Sequence, residues 1–475
     1  MTAAPSGHAP PSPPPSNSGR TTEMVLLGIV VAIVGAALVI VELAQGEPLT
    51  WEVAKFVAAF AVLCAVLHLT VRRFAPYADP ILLPCVAALN GLGLVMIHRL
   101  DLGSVDVDVD AVTQGDRTHN ADQQLLWAFI GVVVFALTLI VIRDHRTLSR
   151  YAYTLGLGGI VFLAIPAILP ASMAEVNGSR NWIILPGFSI QPGEFSKILI
   201  IIFSAAFLVS RRDLFMTAGK QFAGIDLPRL RDLGPLFAAW LIAIGVLAVE
   251  NDLGTPLLIF ATVLVLLYVA TSRVSWLVLG LTLFAIGATV AYHLFEHLRV
   301  RVSIWQDPFS QYETYGYQIA QSLFGFATGG MFGTGFGSGR PNTVPFANTD
   351  FILTSFGEEL GLVGIAALMM LYMVITVRGF RSAIAVRDSF GKLLAAGLAF
   401  TIIFQVFVVF GGVSKLIPLT GLTTPFLAYG GSSLLANYLL LALLIRISNA
   451  SREPDAPKVK APPVDALATQ VVKRA

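Results

Sequence analysis

Apolar stretches long enough to cross a lipid bilayer recur through this 475-residue chain, and they constrain its fold more than any other feature. A transmembrane helix needs about 20 predominantly apolar residues, because a helix satisfies its own backbone polar groups where no water can. Such blocks cover 24–44, 53–71, 80–98, 124–142, 152–170, 195–210, 233–249, 253–270, 274–294, 351–377, 393–412 and 424–446. They predict an all-α polytopic membrane protein. Only 13% of the residues are charged against 56% hydrophobic, about half the charge of a soluble domain. A net charge of +2 gives no electrostatic footprint for nucleic acid. Cys64 and Cys85 lie inside apolar blocks and read as packing residues rather than a disulfide or metal site.

The two ends differ in kind. Residues 1–20 and 450–475 are rich in proline, serine or charge and predict disordered tails. The first apolar block is full length and precedes further blocks, so it reads as a retained span rather than a cleaved leader.

Arginines and lysines fall in alternate connections: Arg72 and Arg73; Arg143, Arg146 and Arg150; Arg211, Arg212, Lys220, Arg229 and Arg231; Arg273; and Arg378, Arg381, Arg387 and Lys392. The positive-inside rule then makes these connections and both termini cytoplasmic. The segments 99–123, 171–193 and 295–350 fall outside.

Polar residues gather near that outer face. The long segment 295–350 carries Arg301, Trp305, Tyr315, Tyr317 and Gln321, then glycines at 329, 330, 333, 335, 337 and 339. Glycines alone read as a flexible linker; their aromatic and polar neighbours point to a surface that binds something. Asp350 stands directly before an apolar run. It is either a helix cap or a partly buried carboxylate suited to act as a base. Glu358 and Glu359 follow in the same helix, where an acidic pair must face protein or a polar cavity. Glu194 and Lys197 share a helix face at i,i+3, as a surface ion pair or as a cation site for phosphate. Asp252 interrupts a long apolar run, and residues 411–433 form a glycine- and proline-broken helix entrance.

Several ordered motifs carry a family resemblance. They are GSRNW at 178–182, QPGEFSK at 191–197, NDLGT at 251–255, then the elements from Asp307 through GYQIAQS, GGMFGTG, TDFI and EELGLVG to 364, and GLTTPFLAYGGSS at 421–433. Over about residues 80–447 the chain resembles the SEDS family (shape, elongation, division and sporulation), and within it the elongation branch. The resemblance implies a ten-helix core, with 24–71 as an extra N-terminal helix pair. It implies polymerisation of lipid II into glycan strands beside a class B penicillin-binding protein that crosslinks them. Under it Asp350 matches the catalytic carboxylate, and Glu194, Lys197, Asp252, Arg301 and Gln321 match substrate-contacting positions. QPGE stands here where many members have QPSE.

The implied chemistry needs a base for an attacking sugar hydroxyl and a cation for the departing pyrophosphate. Lys197, an arginine, or Mg²⁺ or Mn²⁺ would meet the second need. A lipid II flippase is the rival reading, but it calls for polar breaks along a path to the cytoplasmic side. A non-catalytic scaffold is the other rival, and it would not need Asp350.

Overall fold

The computed structural model describes residues 18–103, 119–176, 178–185, 188–212, 221–222, 225–226, 241, 245, 250 and 252–454. The apolar blocks become helices: α1 (Ser18–Ala44), α2 (Trp51–Phe74), α3 (Leu82–Gly103), α4 (Asn120–Val141), α5 (Ala152–Ile168) and α6 (Pro192–Ser210). There follow α7 (Gly254–Thr271), α8 (Ser275–Leu294), α9 (Glu296–Gln306), α10 (Tyr317–Gly329), α11 (Ile352–Ala385), α12 (Ser389–Val413) and α13 (Gly431–Arg452). Ten of them are long and apolar enough to span a membrane, and α5 is a shorter eleventh. The expected span 233–249 lies almost wholly outside the described residues. So do the expected tails, except that Ser18–Arg20 already belongs to α1 and α13 runs to Arg452. Short antiparallel hairpins, Ile183–Leu185 with Phe188–Ile190 and Gln221–Phe222 with Ile225–Asp226, are the described strands.

Burial sorts the helices. α3 and α13 are buried around most of their circumference, while α8 shows nearly all of its apolar side chains outward. A helix that is apolar all round yet uncovered by protein is a lipid-facing one.

The segment 295–350 is not an open loop. It holds α9 and α10, and its glycine-rich part is pinned against α11. That helix runs 34 residues, roughly 50 Å at 1.5 Å per residue, well beyond a ~30 Å hydrocarbon core. It breaks at Gly361 (φ 65°, ψ −167°). The broken turn pairs with the glycine-rich strand instead of with itself: Thr334 N and Gly335 N donate to the carbonyls of Glu358 and Glu359 at 3.0 and 3.1 Å. Leu362 N and Val363 N donate to Gly330 and Met331 at 2.9 and 3.1 Å. A Cβ on Gly333 would sit 2.1 Å from the Glu359 carbonyl oxygen, and one on Gly361 would sit 2.4 Å from Gly333 N. Those glycines permit close backbone approach, not looseness.

The N-terminal pair docks on the core at both ends. Near one end Arg20 meets Glu23 at 2.5 Å and the Ala78 carbonyl, and Glu23 meets His68 at 2.8 Å. At the other, His98 meets Glu42 at 2.9 Å and Gln45 Nε2 donates to the Gly337 carbonyl at 2.5 Å.

Candidate active site

Asp350 sits in the turn that leads into α11. Phe351 is the residue that caps the helix geometrically, and no side-chain capping hydrogen bond is made there. The capping reading of Asp350 is therefore corrected: its carboxylate accepts no hydrogen bond among the described residues. It keeps partial exposure while protein surrounds it. Burial pushes its pKa up to about 6; Arg301 pulls the other way and Asp252 adds to the rise. The segment after α12 passes close by, with Gly421 (φ 78°) placed so that a Cβ there would lie 3.9 Å from Asp350 Oδ2.

Arg301 comes from α9. Its Nη1 donates to the Leu419 carbonyl at 2.8 Å, and Trp305 Nε1 donates to the Lys415 carbonyl at 3.2 Å, so α9 is fastened to the same segment. Burial lowers the Arg301 pKa against the pull of Asp252 and Asp350. On the segment that follows α12, the hydroxyls of Thr420 and Thr424 are buried without partners among the described residues. Buried polar atoms are rarely left so unless water or a ligand completes them.

Asp252, whose charge acts on both Asp350 and Arg301, is committed locally. Its Oδ1 accepts from Gly254 N at 2.9 Å and Thr255 N at 3.4 Å, and its Oδ2 from Thr255 Oγ1 at 2.8 Å. Beside it Glu250 is 1% exposed with Oε1 unpartnered. Burial, then the Asp252 charge, lifts its pKa to about 8. Arg180 and Ser179 hold the Glu250 carbonyl at 2.9 and 3.3 Å. Sequence reasoning passed over Glu250; the signal was a glutamate closing an apolar block two residues before Asp252.

Glu194 and Lys197 are not at the surface. Lys197 is 1% exposed, 2.5 Å from Glu194 Oε2 and 2.9 Å from Gln405 Oε1 on α12. Gln405 Nε2 in turn donates to the Thr423 carbonyl at 2.8 Å, and Thr423 Oγ1 donates to Ser433 Oγ at 2.9 Å. The surface-pair reading is corrected: this buried unit holds the 420–424 segment in place. Gln321 stands apart from Asp350. Its Nε2 donates to Tyr312 Oη at 2.8 Å, and it lines a cleft of about 350 Å³ with Glu358 and Arg340.

Glu359 and Arg99 form a further buried pair, Arg99 Nε to Oε1 at 2.9 Å. Gly337 N donates to Oε2 at 2.9 Å, and Arg99 Nη2 to the Gly339 carbonyl at 2.7 Å. Arg99 was missed in the sequence. It lies near the end of α3, in a stretch the arginine and lysine alternation assigned to the outside, and so stood apart from the clusters. Among the described residues no three His, Cys, Asp or Glu side chains gather as a metal site. A divalent ion held by one or two carboxylates would take its remaining ligands from substrate phosphate and water.

The family model of the cell cycle proteins FtsW, RodA and SpoVE matches residues 80–453. The peptidoglycan glycosyltransferase RodA of Mycobacterium tuberculosis (strain ATCC 25618 / H37Rv) is 56% identical over 464 residues, 97% of each chain. The protein of the same name from Mycobacterium leprae (strain TN) is 57% identical over 462 residues, again 97% of each. Stage V sporulation protein E of Bacillus subtilis (strain 168) is 33% identical over 393 residues, 81% of this chain and 100% of that one. Among solved structures, a chain of a peptidoglycan synthase complex that coordinates polymerization and crosslinking superposes with TM-score 0.62 at 27% identity, over 79% of this chain and 99% of its own. Thermus thermophilus rod shape determining protein RodA gives TM-score 0.51 at 25% identity, over 80% and 98%.

Proposed function

The chain belongs to the FtsW/RodA/SpoVE family, and from that premise we propose how it works as a peptidoglycan glycosyltransferase of the elongation type. It is a multi-pass membrane protein. Its substrate is lipid II, taken from the bilayer and used on the outer face, with both termini in the cytoplasm; the alternating arginine clusters support that orientation.

The 4-hydroxyl of one lipid-linked sugar attacks the anomeric carbon of another. The new C–O bond forms as the bond to undecaprenyl pyrophosphate breaks, and the hydroxyl proton passes to Asp350. A general base works best with a pKa near the operating pH, and an unbonded carboxylate held near 6 meets that condition. This is the observation that carries the reading. Arg301 lies beside Asp350 with one of its five donors used, so it is the group to meet charge growing on the leaving pyrophosphate. Glu194, Lys197 and Gln405 act behind this pair by fixing the 420–424 segment. A class B penicillin-binding protein is the partner that crosslinks the strands, in keeping with the likeness to a chain of a synthase complex.

The test is direct. Purified full-length chain given labelled lipid II is expected to make a ladder of glycan strands and release one undecaprenyl pyrophosphate per bond. A preparation that binds lipid II but yields no polymer, with or without a transpeptidase partner, overturns the reading.

A further inference from the structure

The cleft that contains Gln321 lies between α10, the glycine-rich segment and α11, lined by Phe324, Thr328, Ser338, Arg340 and Glu358 among others. Roughly 9 Å of helix separates its Glu358 from Ile352 at the start of α11. None of its side chains contacts Asp350, Asp252 or Arg301 through a hydrogen bond or ion pair among the described residues. Its volume falls within the range of small-molecule sites, about 300–1,000 Å³.

The chemistry of the lining restricts the occupant. Glu358 is 5% exposed. It spends Oε1 on Arg340 N at 2.7 Å, and Oε2 has no hydrogen-bond partner among the described residues. Oε2 is not among the buried unpartnered atoms, so it meets the water of the cleft, and a ligand that displaces that water must supply a donor in its place. Around the cleft stand the hydroxyls of Thr328 and Ser338, which have no hydrogen-bond partner among the described residues. Those of Thr334 and Thr343 donate to the Glu358 and Arg340 carbonyls and keep their oxygens as acceptors, and the Gln321 amide likewise keeps its oxygen. One arginine offsets one glutamate, so the lining favours neither an anion nor a cation. The ring of Phe324, 47% exposed and backed by Phe309 at 5.8 Å between centroids, offers a flat apolar face. Many hydroxyl partners, a carboxylate and an aromatic plate around a neutral ligand describe a carbohydrate site. A lipid chain would cut the Thr328 and Ser338 hydroxyls and Glu358 Oε2 off from water without giving them partners.

We propose that this cleft binds a neutral N-acetylated oligosaccharide: a stretch of the growing glycan strand, held away from the bond being made. The inference rests on the polymerase reading and adds to it a grip on the product. Such a grip keeps the strand from leaving between additions, so it acts on strand length.

The probe is a soluble lipid-free tetrasaccharide of alternating N-acetylglucosamine and N-acetylmuramic acid. Its lactyl carboxyls are capped as amides, as they are in the strand, so that it is neutral. It is titrated into the purified full chain and followed by saturation-transfer NMR. Phe324→Leu removes the plate at an exposed position. Glu358→Gln keeps an oxygen for Arg340 N and removes the charge that strengthens a hydroxyl contact. Each is expected to weaken tetrasaccharide binding about tenfold and to shorten the strands made from labelled lipid II several-fold. Asp350→Asn is expected to bind the tetrasaccharide like the unaltered chain while making no strands. Unchanged binding in both cleft variants overturns the proposal, and so does loss of binding in Asp350→Asn, which would place the sugar in the reacting chamber. A chain that binds the tetrasaccharide through the cleft yet never polymerises lipid II sinks the polymerase reading alone.

Discussion

Two carboxylates flank the first segment of α11, one in the turn before it and one just ahead of its break at Gly361, and they have been put to opposite uses. Glu359 is fully buried, and both its oxygens are taken, by Arg99 and by the backbone of Gly337. The carboxylate of Asp350, nine residues earlier, has partial exposure and no hydrogen bond among the described residues. A buried charge with both oxygens answered locks structure in place, and removing its partner is expensive. A carboxylate with nothing answering it is ready for a proton. The amino acids are nearly the same; the bonds around them decide what each can do.

The sharpest break of that comparison is Asp350→Asn. Asparagine keeps the volume and loses the charge, and since the Asp350 carboxylate makes no hydrogen bond among the described residues, the fold should lose nothing by the change. A positioned base contributes about 10²–10⁴-fold in rate, roughly 3–5 kcal/mol of barrier. Polymerisation of labelled lipid II should fall by that factor with no loss of melting temperature. Turnover within a few-fold of the unaltered chain would assign the base to another group, with Glu250 next in line. The mirror experiment is Arg99→Met. It leaves Glu359 uncompensated and should cost about 3–5 kcal/mol of stability, read as a lower melting temperature, while turnover per folded molecule changes only a few-fold. A variant that melts normally and polymerises poorly would reverse the roles assigned to the two carboxylates.

Much of this contrast was legible in the sequence, and some was not. The spans could be read because the bilayer admits few backbone forms, and eleven of the twelve appear as helices among the described residues. Asp350 could be singled out by its position before an apolar run. Whether it capped the helix depended on one dihedral pair, that of Phe351, which composition does not encode. Glycines at 329–339 read equally well as a linker because their partners are backbone groups of Glu358 to Val363, and backbone bonding leaves no trace in residue type. Lys197 seemed exposed since its second partner, Gln405, lies 208 positions away. The same distance effect hid Arg99, whose partner follows 260 positions later.

Lys197→Met tests the layer between these extremes. Lys197 touches neither Asp350 nor Arg301; it reaches the site through Gln405 and the Thr423 carbonyl. Misplacing a substrate-facing segment by about 1 Å can cost up to about 10²-fold, so a smaller loss than that of Asp350→Asn is expected. Adding Glu194→Gln removes the stranded charge and should recover melting temperature more than turnover. If the pair of substitutions restores turnover fully, the lysine served stability alone.

The mildest test uses pH, and it separates the reaction from the fold by sign. Burial raises the Asp350 pKa from an ordinary 3.8 to about 6. The base works only when ionised, so turnover should be near its plateau at pH 7 and fall about tenfold per pH unit below 6. At pH 5 about a tenth of the molecules carry the charge, a change worth roughly 1.4 kcal/mol. Stability moves the other way. Between 3.8 and about 6 the folded chain binds a proton at Asp350 that the unfolded chain does not, so this group's contribution rises as the pH falls through that window. Above about 6 both states are ionised and the folded one bears the full cost of a desolvated charge. Asp350→Asn should therefore melt slightly higher than the unaltered chain at pH 7.5, with the gap closing toward pH 4. A gap that widens on acidification would mean the carboxylate is stabilised in the fold, and the contrast with Glu359 would collapse.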